Sequence, residues 1–196
     1  FKKDIQAQVS SAFKERQIST AKIPASEVEE EAFEVFTDLS FVRIDKRRQR
    51  GQLFKTTLEK ALFSSPFACR ETIRNRIDKL KNDDKPEYQS DVEQLRNLDS
   101  FLANITFDNF SKYQKLLSVV KDTFKWTGKD KTDRLVIFTE RIETLRQLHA
   151  QLHEDLRLRE GQIIILHGGL SDIEQQTIVE NFGKEESPVR ILLASD

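Results

Sequence analysis

Three short apolar runs, at residues 134–139, 162–167 and 189–194, are nearly continuous in Val, Ile and Leu instead of alternating with polar residues. Strands with that pattern are buried on both faces, as in parallel sheets flanked by helices. The runs end at Thr139, His167 and Ala194, about every 28 residues, close to the ~30-residue length of a strand–helix–strand unit. Helical stripes fill the gaps. Ile142, Leu145, Leu148, Leu152 and Leu156 follow the first run; Ser171 and Glu174 form a capping box opening a helix through Ile178 and Phe182 after the second. Right-handed crossovers bring the three carboxyl ends to one sheet edge, where open α/β sheets bind ligands. That edge collects Thr139, Glu140 and Arg141, then His167, Gly168 and Gly169, then Ala194, Ser195 and Asp196.

Residues 1 to about 110 carry a helical period instead. Ile5, Val9, Ala12 and Phe13 make one stripe. Ser26 and Glu29 fit a capping box before Val28, Ala32, Val35, Phe36 and Leu39. A third stripe of Leu53, Phe54, Leu58, Ala61 and Leu62 stops at Ser64-Ser65-Pro66, where proline suits the first turn of a fourth helix with Ile73, Ile77 and Leu80. Residues 82–86 read as a loop. Val92, Leu95, Leu98, Leu102 and Ile105 mark a fifth helix, and Tyr113, Leu116, Leu117, Val120 and Phe124 a sixth, with Phe124 and Trp126 read as packing. The expected fold class is therefore α/β: a large all-helical N-terminal segment, 1–110, beside a truncated parallel sheet of about three strands within 111–196.

Net charge is −1, so attraction for nucleic acid must come from local patches. At 37% hydrophobic and 33% charged, the chain suits a helix-rich globular protein rather than a disordered one. The single cysteine, Cys69, excludes an internal disulfide and reads as a small buried hydrophobe, consistent with a reducing, cytoplasmic setting. No apolar run approaches the ~18 residues of a membrane span. With no initiating Met and an apolar strand at the end, the chain reads as an internal piece of a longer protein.

Each strand-end residue has a structural use. Thr139 is a good helix cap, and Gly168 and Gly169 supply backbone freedom for a turn. Taken together, helix starts, small hydroxyl residues and an arginine are what a phosphate backbone requires. Arg141 at this edge contrasts with Arg190 at the opposite end of its strand. The strongest basic cluster is Arg43, Lys46, Arg47, Arg48 and Arg50, which reads either as a phosphate-contacting patch or as a solvated helix end. Arg74, Arg76, Lys79 and Lys81 read as ordinary surface. There is no G-x-x-x-x-G-K-[ST] phosphate loop, no H-E-x-x-H and no nucleophile elbow. His149 and His153 stand at i,i+4, but without a third ligand the pair reads as a solvated helix face and no metal is assigned.

The run LVIFTER, 135–141, resembles motif IV of superfamily 2 helicases, at the first strand of their second RecA-like lobe. HGGLS, 167–171, with Glu174, Gln175 and Phe182, is similar to the stretch after the next strand, and ILLASD, 191–196, resembles the opening of motif V. Three motifs in register over residues 135–196 carry the resemblance. LEKALFSSP, 58–66, more loosely resembles the segment joining the lobes in bacterial Swi/Snf-type members.

That resemblance implies ATP hydrolysis with Mg²⁺ between two lobes, coupled to movement along nucleic acid, DNA favoured over RNA. It implies backbone contacts from Thr139, Arg141, Ser195 and Gly168, with Glu140 an unfavourable neighbour. It assigns 1–110 to an inter-lobe helical segment and 111–196 to a partial second lobe. The phosphate loop, the acidic Mg²⁺ motif and the arginine-bearing motif VI are not in this stretch. ATP and Mg²⁺ would thus be bound mainly by the rest of a parent protein, no catalytic residue is assigned here, and the isolated chain is expected to be inactive. Two alternatives stand beside this reading: a non-enzymatic module docking a protein partner through the helical segment on a degenerate lobe, and the ATPase part of a restriction or phage-defence system.

Overall fold

A computed structural model describes residues 17–41, 50–81 and 88–195. The stripe at Ile5–Phe13, the loop at 82–86, and Arg43, Lys46, Arg47 and Arg48 of the basic cluster lie outside the described residues. Arg50 enters only as the first backbone position of a helix.

Among the described residues, four helices precede the α/β part: α1 (Glu27–Thr37), α2 (Arg50–Ser64), α3 (Pro66–Lys81) and α4 (Gln89–Leu102). α1 packs on α4, and α3 packs on both α2 and α4, burying Ala32, Phe36, Leu58, Ile73, Leu95 and Leu98 in one core. Their ends are held by long-range bonds as well as local caps. Glu29 closes the Ser26 start of α1, its Oε2 accepting from Ser26 N–H at 2.8 Å, and the same oxygen accepts from Ser111 N–H at 3.2 Å. α1 has no basic residue in its last turn. Lys55 of α2 supplies the charge, its Nζ donating to the Thr37 and Leu39 carbonyls at 3.1 and 2.9 Å. Ser65 sits between α2 and α3, and its Oγ accepts from Ala68 N–H at 3.1 Å, ahead of which Pro66 occupies the first turn.

α5 (Ser111–Ser118) runs into a π turn, Val119–Thr123, where the sequence reads as one continuous helix to Phe124. The wider turn ends the amphipathic face early: Phe124 is 62% exposed, not packed, while Trp126 is buried and its indole N–H donates to the Asp133 carbonyl at 3.1 Å. Gly128 lies at φ 67°, and a Cβ there would meet the Trp126 ring at 3.0 Å, so both backbone and packing require glycine.

The sheet comprises β1 (Leu135–Phe138), β2 (Ile163–Leu166) and β3 (Ile191–Ala194), all parallel, in the order β1-β3-β2. α6 (Ile142–Asp155) connects β1 to β2, and α7 (Asp172–Gly183) connects β2 to β3. The two crossovers run in opposite directions across the sheet, so right-handedness sets the helices on opposite faces. On the α6 face, Leu135, Ile137, Ile163, Ile165, Ile191 and Leu193 join the same core as the helical segment. The other face is thinly covered. α7 has no buried residue, and Val136 and Phe138 are 44% and 67% exposed. Full burial of every strand, expected from the apolar runs, holds for β3 and fails for β1, an outer strand of the sheet with little packed over this face.

Cys69 is buried in α3 against α2, and burial first, with Asp99 adding to it, pushes its thiol from 9.0 up to about 12. A raised folded pKa stabilises the protein fully below the unfolded value, and the benefit disappears as pH rises through the folded value. Stability should therefore fall between about pH 9 and 12. Cys69→Ala should flatten that decline, and the native thiol should resist iodoacetamide until denaturant is added. Rapid native alkylation at neutral pH would contradict this burial.

Candidate nucleic-acid interface

β3 in the centre places Ser195 between the other two strand ends. Phe138 and Leu166 are both in register with Ala194. Thr139 N–H donates to the Ala194 carbonyl and Ser195 N–H to the Leu166 carbonyl, each at 3.0 Å. Thr139, Ser195 and His167 thus form a row across the carboxyl edge, spaced by the ~4.8 Å between neighbouring strands.

Gly168 lies just beyond this row and is exposed. It has no positive φ, and a Cβ there would meet nothing within 4 Å. Neither turn geometry nor packing asks for glycine at 168, so a structural account of it fails. Gly169 differs: a Cβ would meet the His167 ring at 3.0 Å, and its N–H donates to His167 Nδ1 at 3.1 Å. Downstream, Ser171 and Glu174 complete the expected capping box. Ser171 N–H donates to Glu174 Oε2 at 2.8 Å, and Glu174 N–H donates to Ser171 Oγ at 3.4 Å. The Ser171 hydroxyl, then its backbone N–H, hold the Glu174 carboxyl below the usual range. With Asp172 beside it, this helix start is already supplied with negative charge.

The other two residues of the expected contact set face α2. Thr139 does not cap α6, whose N-cap is Arg141. Its Oγ1 lies 3.2 Å from Ser64 Oγ, which is 2.9 Å from Thr144 Oγ1; Ser65 Oγ is 2.8 Å from the same Thr144 oxygen. Arg141 reaches back to donate from Nη2 to the Thr57 carbonyl at 3.2 Å. This four-hydroxyl cluster spans 75 to 80 residues of sequence, and only the fold assembles it. Above it opens a cleft of about 580 Å³ lined by Lys60, Glu59, Phe63, Ser64, Thr139 and Glu140.

Arg190 cannot serve as the exposed contrast to Arg141. It is buried, and its guanidinium donates from Nη1 to the Ser187 and Val189 carbonyls at 2.6 and 2.9 Å. Its substitution would test folding, not binding.

Among the described residues no group of three His, Cys, Asp or Glu side chains could hold a metal ion, and no helix is long and apolar enough to cross a membrane. The sequence carries no G-x-x-x-x-G-K-[ST] phosphate loop.

The parallel strand order and the crossover helices define a RecA-like α/β fold. No protein-family model matches the chain. It is 31% identical over 64 residues, 32% of its length, to the SNF2 domain-containing protein CLASSY 4 of Arabidopsis thaliana. Its fold is similar to the crystal structure of the Pyrococcus furiosus Hef helicase domain, with a TM-score of 0.57, 15% identity and 95% of this chain covered. The chain spans 6% of the plant protein and 47% of the Hef chain. The first is a local sequence likeness to an SNF2 domain-containing protein, and the second is a likeness of fold to a helicase domain.

Proposed function

We propose that this chain is part of an ATP-dependent nucleic-acid helicase or translocase and lends phosphate-backbone contacts from its strand-end edge. The observation that carries the reading is Gly168, an exposed glycine that this fold does not need, beside the Thr139–Ser195–His167 row. A missing side chain at a strand carboxyl end permits close approach of a ligand backbone. Ser195 and Gly168 face the track directly, whereas Thr139 and Arg141 act through their bonds to α2. Residues 1–110 form the inter-lobe helical segment and 111–196 the partial second lobe. ATP and Mg²⁺ are bound mainly by the rest of a parent protein, with DNA the favoured track and the cytoplasm the setting. The isolated chain hydrolyses no ATP, because no group in it serves a phosphoryl-transfer transition state.

The test is ATP hydrolysis by the parent protein with duplex DNA, single-stranded DNA and RNA. One of them should stimulate turnover strongly. Gly168→Asp, which fits sterically and places a negative charge on the track, should weaken that stimulation by roughly tenfold, about 1.4 kcal/mol. No hydrolysis under any condition would leave a non-enzymatic scaffold that docks partners through its helices.

A further inference from the structure

α3 and α6 pack side by side, and two clefts open along their junction. One, of about 390 Å³, is lined by Arg70, Arg74, Arg146 and Gln147. The other, of about 270 Å³, is lined by Arg76, Lys79, Arg141 and Asn75. Glu71 and Glu143 line both, so the clefts form one trough. Its charged lining is six cations (Arg70, Arg74, Arg76, Lys79, Arg141 and Arg146) against those two carboxylates, on a chain whose net charge is −1. Positive charge is therefore gathered here at the expense of the remaining surface.

Part of this set is fixed. Arg70 pairs with Asp99 at 2.9 Å, Arg76 stacks its guanidinium 4.9 Å from the Phe54 ring centre, and Arg141 is tied to the Thr57 carbonyl. Arg74 from α3 and Arg146 from α6 are exposed, one from each helix, and Lys79 is exposed further along. From Arg70 to Lys79 the trough follows α3 for about 13 Å at 1.5 Å per residue, enough for several phosphates of one strand. Guanidinium groups favour phosphate because their fork of N–H donors matches its oxygens, and Asn75 and Gln147 add neutral donors.

We infer that the α3–α6 trough is a second phosphodiester-backbone site, separate from the strand-end row. It takes a nucleic-acid strand by its phosphates, without base readout. This goes beyond the strand-end reading and shares with it the chemistry of the ligand and one residue, Arg141, which belongs to the strand-end set and also lines the trough.

The test is fluorescence anisotropy of the chain with a short labelled single strand and a short labelled duplex, across about 50 to 200 mM salt. Arg74→Ala/Arg146→Ala is compared with Gly168→Asp, and circular dichroism checks that each variant is folded. The double variant should bind about tenfold more weakly and reduce the slope of log affinity against log salt by roughly 2. The arm that loses more identifies whether the trough holds a single strand or a duplex. Unchanged affinity and slope in the double variant would overturn the trough, whatever Gly168→Asp does. Loss in the double variant with none in Gly168→Asp would leave the trough standing and remove the strand-end reading. If the double variant keeps nucleic-acid affinity but loses binding to polyglutamate, the trough is a site for acidic protein and the inference fails.

Discussion

Glu29→Ala should lower the unfolding free energy by about 2–4 kcal/mol, read as a shift of the urea midpoint. Glu29 is only 4% exposed, yet one carboxylate oxygen accepts the backbone N–H of Ser26 and of Ser111. These groups belong to the starts of two helices, Ser111 lying 82 residues beyond Glu29, and the first N–H groups of a helix have no partner within it. A charged acceptor there completes the hydrogen bonding and meets the positive end of each helix dipole. Alanine removes both bonds at once and leaves the donors partly buried. Glu29→Gln keeps an acceptor and loses the charge, so it should cost about half as much. A midpoint shift below ~0.5 kcal/mol for the alanine variant would mean water replaces the carboxylate freely.

Leu193→Ala should cost about 2–5 kcal/mol, while Phe138→Ala should stay within ~0.5 kcal/mol. Both side chains lie in the same sheet and one register step apart. Leu193 is on the central strand, fully buried, on the face that shares the core with α6 and the helical segment. Its truncation leaves a cavity with little room to collapse. Phe138 is on an outer strand and 67% exposed on the opposite face, so its removal opens no cavity. Similar costs at the two sites would show that the second face of the sheet is packed as firmly as the first.

The contrast between those two residues marks what a local pattern can convey. A helical stripe or an apolar run reports which element forms, because its period is written within a dozen residues. The helices around Leu95 and Leu145, the capping box at Ser171, the break at Ser65-Pro66 and the three parallel strands are all legible that way. The π turn after Ser118 is not, since Leu117, Val120 and Phe124 keep a helical period through it. Nor is the exposure of Phe138, because an apolar run is the same whether or not something packs across its second face.

The candidate site divides along the same line. That Thr139, Ser195 and Gly168 would meet at one edge follows from three evenly spaced strands and the handedness of their crossovers. The order β1-β3-β2, which puts Ser195 in the middle, depends on how α6 and α7 pack and has no sequence period. The bonds from Thr139 to Ser64 and from Arg141 to Thr57 join positions 75 and 84 residues apart. The trough between α3 and α6 likewise unites Arg74 with Arg146, residues that look like unremarkable surface when each helix is read alone. Local sequence determined the elements and their ends, through backbone propensity and hydrophobic period. Only the tertiary structure decided which ends became neighbours and where charge accumulated, because packing joins side chains on distant segments whose pairing leaves no periodic trace along the chain.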